Sequence, residues 1–229
     1  MAAIARRAPE RPNAFARQSR FLGELASRGI VGEELRRTCT AVVLPAGSRR
    51  ICSDLPAARM FVVEDGVVLV RADPAPGVRS MVVSRCSSGA ILPPLAAGEA
   101  LQSLTDSWLT AVPHDVWRRL VASPEAAALL FAGLEETLLR QRESSRALAG
   151  VRHVDRVRVQ LLELAAEHGR VCRDGIRIDL PLTHDLIADM IGSARETVTR
   201  ALEELQRGGF VTRRGRYYQL LVEPESLTA

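Results

Sequence analysis

The sequence predicts an α+β fold in three successive pieces. Short β-branched runs separated by turn residues, over about residues 40–112, predict a small antiparallel β domain. An apolar stripe whose spacing alternates between four and three residues predicts one long helix after Ser123-Pro124-Glu125. Two short helical patterns joined by a glycine, then a strand pair, close the chain from Leu182 onward. The boundaries expected from these patterns are a basic flexible tail at 1–20, a β domain at 21–122, a helix at 123–150 and a C-terminal domain at 151–229.

Residues 1–20 have no apolar periodicity and two prolines, which predicts a mobile tail with weak phosphate contact as a minor role. Phe21, Leu22, Leu25, Ile30, Val31 and Leu35 predict one or two short helices around Gly32. Strands are expected at Thr40 to Leu44, Met60 to Val63, Val67 to Val70, Val78 to Val83 and Trp108 to Val112. Asp65-Gly66 marks a hairpin turn between the second and third of these.

In the long helix, Ser123 is the expected cap, Pro124 the first helical position and Glu125 the acid of the first turn. Ala127, Phe131, Leu134, Leu138, Gln141, Ser145 and Leu148 then form a heptad seam. Part of that stripe can pack on the β domain. A seam over three heptads favours a parallel homodimer through Phe131, Leu134, Leu138 and Leu148. Gln141 and Ser145 would be polar seam positions that set register or line a buried site. Ala149-Gly150 ends the helix or serves as a hinge, and a further helix is expected over about His153 to Glu167.

The C-terminal unit carries the sharpest signal. Leu186, Ile187 and Met190 share one face of a first helix, Thr183 caps it, and Gly192 supplies the turn. Ser193 reads as the cap of the second helix, with Glu196 completing a capping-box spacing. Val198, Ala201, Leu202 and Leu205 point inward, leaving Arg195, Glu196, Thr199, Arg200 and Glu203 outward. Such a helix fits a major groove, because a guanidinium donates twice to guanine and a carboxylate accepts from cytosine. A hairpin around Asp174-Gly175 precedes the helices. Phe210 to Thr212 and Tyr217 to Leu221 follow them, flanking an arginine-bearing tip at Arg213, Arg214 and Arg216.

The ordered run SARETVTRALEELQRGGFV, with Ala188 and Gly192 before it, resembles the winged helix-turn-helix of the Crp/Fnr family of bacterial transcription regulators. The order of β domain, long helix and winged helix is similar to that family's layout, a less specific match. The resemblance implies an N-terminal antiparallel β-roll (a cupin-like jelly roll), a dimerisation helix and a DNA-binding domain. It implies base readout by Arg195, Glu196 and Arg200, with Ser193, Thr197 and Thr199 near phosphates or base edges. The wing arginines would touch phosphates without reading sequence. The implied partners are double-stranded DNA, a second copy of the chain and, as a candidate, RNA polymerase; the effector is unknown.

Composition narrows the field. The 229 residues hold 31 basic and 27 acidic residues and no lysine. Net charge is +6 over residues 1–50, −2 over 51–150 and zero over 151–229, so bulk charge carries no nucleic-acid argument. Local placement does, with six arginines against three glutamates from Ser193 to Arg216. No apolar run approaches a membrane span and nothing resembles a signal peptide, so the expectation is a cytoplasmic protein with no membrane partner. Cys39, Cys52, Cys86 and Cys172 lack the close N-terminal grouping that holds an iron–sulfur cluster in some family members. His114, His153, His168 and His184 have no metal-ligand spacing, and no P-loop, G-x-S-x-G or H-E-x-x-H occurs. No cofactor, metal or enzymatic activity is expected.

Family members that bind cyclic nucleotides use a Gly-Glu pair for the ribose and, about ten residues later, an Arg beside Ser or Thr for the phosphate. Here no arginine or lysine stands between Arg85 and Arg118. Gly98-Glu99 offers the pair but lies too close to the Trp108–Val112 strand for the phosphate half. A buried phosphate without a cation is costly, which argues against cyclic AMP in the usual pose. Ile91, Leu92, Leu95, Leu101, Leu104 and Trp108 would instead face Gln141 and Ser145. Two readings of that surface stay open, a closed core without ligand or a less charged effector. A functional alternative is a ligand- or protein-binding module whose winged helix docks protein.

Overall fold

The computed structural model describes residues 19–72, 80–148 and 152–222, with the side chains of Glu33 and of 143–148 outside the description. Residues 1–18 of the expected tail, the first residues of the strand at Val78, the side chains of Ser145 and Leu148, and the Ala149-Gly150 hinge all lie outside the described residues. The chain divides into two compact units, one of residues 1–70 and 85–138, the other of 71–84 and 139–229.

The first unit opens with α1 (Arg20–Ser27) and α2 (Glu33–Thr38), the two short helices expected around Gly32. Among the described residues eight strands follow: β1 (Thr40–Leu44), β2 (Arg49–Ile51), β3 (Met60–Asp65), β4 (Val67–Ala72), β5 (Met81–Ser87), β6 (Ile91–Leu92), β7 (Glu99–Ser103) and β8 (Ser107–Val112). They form two four-stranded sheets, ordered β1-β8-β3-β6 and β2-β7-β4-β5, which is the strand order of a jelly roll. The strands β4 and β5 run across the division between the two units.

One expectation fails here. Asp65-Gly66 does not close a hairpin, because β3 pairs with β8 and β6 while β4 sits beside β7 and β5 in the other sheet. Gly66 instead turns the chain from one sheet to the other. Its φ is +88°, and a Cβ there would collide with Ser107 Oγ and the Asp106 carbonyl oxygen. The local dipeptide signal for a turn was correct, but pairing is decided by burial. β3 and β4 are each buried at five of six positions, as strands covered on both faces must be.

A helix not foreseen in the sequence, α3 (His114–Ala122), leaves β8 and buries Val116 and Leu120. It joins Leu22, Leu25, Met60, Val62 and Leu130 in a core under the first sheet. Each such buried aliphatic side chain contributes about 1.5–3 kcal/mol. The long helix α4 (Pro124–Leu148) follows, with the Ala126 amide donating to Ser123 Oγ at 3.4 Å. Ala126 and Leu130 pack into the core and Leu134 lies against it. Phe131 and Leu138 are 76% and 51% exposed, so that part of the heptad stripe does not pack on the β domain of its own chain.

The second unit contains α5 (His153–His168), β9 (Gly169–Cys172), β10 (Gly175–Ile178), α6 (His184–Met190), α7 (Arg195–Arg207), β11 (Val211–Arg214) and β12 (Tyr217–Leu220). Its sheet has the order β11-β12-β10-β9. Val157, Leu161 and Leu164 of α5 and Val198, Ala201, Leu202 and Leu205 of α7 are buried, as their helical spacing predicts. No helix among the described residues is long and apolar enough to cross a membrane.

Candidate nucleic-acid interface

The bihelical unit is built by the residues that announce it. Thr183 caps α6, its Oγ1 accepting from the Leu186 amide at 3.1 Å. Leu186, Ile187, Ala188 and Met190 are buried, and Gly192 takes a φ of +60° to reverse the chain toward α7. Along α7, Arg195, Glu196, Arg200 and Glu203 are exposed while Thr197 and Thr199 are half-buried. Arg195, Glu196 and Arg200 therefore share the outward surface of one helix, with the apolar residues behind them.

Ser193 is not the cap. The cap position belongs to Ala194, which has no side-chain hydrogen bond, and α7 begins at Arg195. Ser193 is 6% exposed; its amide donates to the Ala188 carbonyl at 2.9 Å and its hydroxyl lies 3.1 Å from His153 Nδ1. The capping-box spacing was present, but the hydroxyl is drawn inward to α5. This placement keeps Ser193 from presenting its side chain on the outward face of α7.

Thr199 is also committed. Its hydroxyl donates to the Arg195 carbonyl at 3.0 Å and meets His184 Nδ1 at 2.8 Å. Arg195 Nη1 stands 3.5 Å from Asp185 Oδ2, an exposed contact between the first turns of the two helices. Such exposed pairs are worth about 0–1 kcal/mol, so this one leaves the guanidinium available to a stronger acceptor.

The strands β11 and β12 pair antiparallel from Val211↔Leu220 to Arg214↔Tyr217, forming the expected wing with Gly215 at its tip. Arg213 lies over the Tyr218 ring at 5.8 Å and donates to the Gly215 carbonyl at 3.1 Å. Arg216 lies over the Tyr217 ring at 5.2 Å. Aromatic faces thus hold two of the three wing cations in defined positions, and all three arginines are exposed.

Sequence reasoning missed two buried carboxylate contacts. Within the second unit, Arg71 pairs with Asp189 of α6 and also donates to Ser80 Oγ at 3.0 Å. In the first unit, Glu64 is 6% exposed and accepts from Ser19 Oγ, from the Arg20 amide at 2.9 Å and from Thr110 Oγ1 at 2.8 Å. Neither pair is close in sequence, so no local pattern marks them.

A cavity of about 330 Å³ lies in the first unit against α1, β3, the turn before β6 and α4. Its lining includes Val62, Ile91, Leu129, Gly133, Arg20, Glu24 and Glu64. Ile91 meets Gly133 and Thr137 of α4, its amide donating to Thr137 Oγ1 at 3.4 Å. Gln141 donates to the Val83 carbonyl at 3.2 Å. Glu99 is engaged locally, its carboxylate accepting from the Ala96 amide at 2.8 Å. Among the described residues no group of three or more His, Cys, Asp and Glu is placed to hold a metal ion.

Residues 155–229 match the model of the Crp-like helix-turn-helix domain. The chain is similar to the global nitrogen regulator of Synechocystis sp., at 36% identity over 104 residues, 45% of this chain and 46% of that one. It is also similar to the CRP-like cAMP-activated global transcriptional regulator of Mycobacterium tuberculosis, at 24% identity over 188 residues, 80% of this chain and 84% of that one. A transcriptional regulator of the CRP/FNR family from Thermus thermophilus shares the fold with a TM-score of 0.64 and 24% identity, over 82% of this chain and 96% of that structure. The chain spans about half the length of the nitrogen regulators it matches.

Proposed function

We propose that this chain, which belongs to the Crp/Fnr family, regulates transcription by binding duplex DNA as a homodimer on an inverted-repeat operator. The observation that carries the reading is the outward set Arg195, Glu196 and Arg200 on a helix whose opposite face is buried, flanked by a wing of exposed arginines. That arrangement supplies two bidentate donors and one acceptor for base edges, with phosphate contacts beside them. A protein-docking helix has no need of those side chains in that order.

The dimer is supported by Phe131 and Leu138, large apolar side chains standing exposed on one long helix. A two-fold axis along that helix would place two recognition helices in successive major grooves about 34 Å apart. Cyclic AMP is not the proposed effector. No arginine or lysine stands between Arg85 and Arg118, and Glu99 accepts from the Ala96 amide of its own loop, which leaves little to recognise a phosphate and ribose. RNA polymerase is the partner expected of a regulator that activates.

Selection of bound fragments from a random DNA pool tests the function directly. An enriched inverted repeat with half-sites roughly one DNA turn apart is the expected result. No enrichment over the starting pool would leave the protein-docking alternative in its place.

A further inference from the structure

His184 stands where the recognition helix and the wing come together, and neither element explains its arrangement. It is the first residue of α6, half-buried, with Nδ1 2.8 Å from Thr199 Oγ1 of α7. The Thr199 hydroxyl has one proton to share between the Arg195 carbonyl at 3.0 Å and His184 Nδ1 at 2.8 Å. In the tautomer in which Nδ1 donates to Thr199 and the hydroxyl to the Arg195 carbonyl, Nε2 is the nitrogen whose protonation decides the charge of the ring.

The charged groups whose fields act on this ring come from three elements. Arg195 and Glu203 belong to α7, Arg213 to β11, and Asp185 to its own helix. Burial first, then the guanidinium groups of Arg213 and Arg195, hold the imidazole below its ordinary value, so the ring is neutral near pH 7. The two cations are also the ones placed to meet DNA, one on the reading helix and one in the wing. A phosphate engaging both guanidinium groups would cancel their repulsion on His184 and offer Nε2 an acceptor.

Resting on the DNA-binding reading, we propose that His184 is a phosphate-binding residue that takes up a proton when the chain engages duplex DNA, so that DNA affinity weakens as pH rises. The sign follows from linkage. The bound form holds the proton more tightly than the free form. The proton-linked gain in affinity is thus fully present below the free value and lost as pH rises through the bound value. Because the free value lies below the ordinary value of 6.5, the window opens below that value and extends upward to the bound value. Each subunit contributes at most one proton, a ceiling of about tenfold in affinity per pH unit for one subunit and about a hundredfold for the dimer.

The test measures binding of the full chain to a labelled random-sequence duplex of about 30 base pairs, from pH 5.5 to 8.5 at constant ionic strength. The wild type is expected to weaken about threefold to tenfold between pH 6 and 8. His184→Gln keeps a donor for Thr199 but cannot titrate, and should flatten the curve. His184→Arg should bind as tightly at pH 8 as the wild type does at pH 6. His153→Gln, which removes another titratable ring of the same domain, should leave the pH dependence in place. Imidazole nitrogen resonances of the wild type should show a proton on Nδ1 in the free chain and on both nitrogens in the complex, a readout independent of any variant. Tight binding with superimposable wild-type and His184→Gln profiles would overturn the proposal while leaving the DNA reading intact. Absence of saturable binding by the wild type at every pH would overturn both.

Discussion

Ser193 Oγ lies 3.1 Å from His153 Nδ1, joining the turn of the bihelical unit to the first residue of α5. The contact spans forty residues and ties the reading helix to the residues that enter the domain. Because Ser193 is buried, its hydroxyl would lack a replacement partner if His153 were removed.

A double-mutant cycle should therefore find the two residues coupled. Ser193→Ala and His153→Ala are each expected to cost about 1 kcal/mol of unfolding free energy, with the pair costing little more than either alone. Chemical denaturation measures this. Additive costs would mean that Ser193 acts independently of His153.

Base reading by α7 predicts that Arg195→Ala costs about 1–3 kcal/mol on the selected site and relaxes base preference at one position. Loss of the exposed Asp185 contact should not add to that cost, since it is weak. Equal loss on selected and random duplexes would reduce Arg195 to a phosphate contact.

The wing should behave differently. Replacing Arg213, Arg214 or Arg216 with Ala should weaken all duplexes alike and lower the slope of log affinity against log salt by about one unit per lost contact. A changed consensus with an unchanged slope would reject the assignment. Arg213→Ala should also alter the pH profile of the wild type, since its guanidinium helps to hold His184 neutral.

Much of this fold was legible because local pattern and burial agree. The period-3.6 stripes of α5, α6 and α7, the Thr183 cap and the Gly215 tip stand where the sequence puts them. The failures share one cause, tertiary demand overriding a local signal. Gly66 became a corner between sheets because β3 and β4 are each buried in a different sheet. Ser193 lost its capping role to a partner forty residues away. The helix α3 was missed because its buried stripe, Val116 and Leu120, is only two residues wide. Glu64 and Arg71 could not be placed at all, since their partners Thr110 and Asp189 are distant in sequence.

The cysteines follow from their surroundings. Burial, with the charges of Asp115 and Glu64 adding to it, pushes the Cys39 thiol up to about 12, whereas Cys52 is exposed. Native alkylation at pH 8 should label Cys52 well before Cys39, and mass spectrometry of the digested chain would read the order. Early labelling of Cys39 would mean that the core around α1 opens readily.

The proposed dimer seam and the absence of arginine and lysine between Arg85 and Arg118 make one linked prediction about the N-terminal half. Leu138 is 51% exposed in the single chain, so Leu138→Glu should leave each subunit folded. Across a two-fold seam the same change would bury two facing carboxylates, and should give monomers with little affinity for the inverted repeat. Sedimentation and circular dichroism separate loss of assembly from loss of fold. A dimer that survives the substitution would place the interface elsewhere. With the dimer intact, titration calorimetry using cyclic AMP and cyclic GMP should show no micromolar binding, and operator affinity should not change with either. A ligand shifts DNA affinity only through different affinities for two states of the chain. The segment from Ile91 to Trp117 holds no arginine or lysine that could provide such a difference for a phosphate. Saturable binding that also tightened operator affinity would require a cation from outside that segment, with Arg85 and Arg140 the residues to replace first.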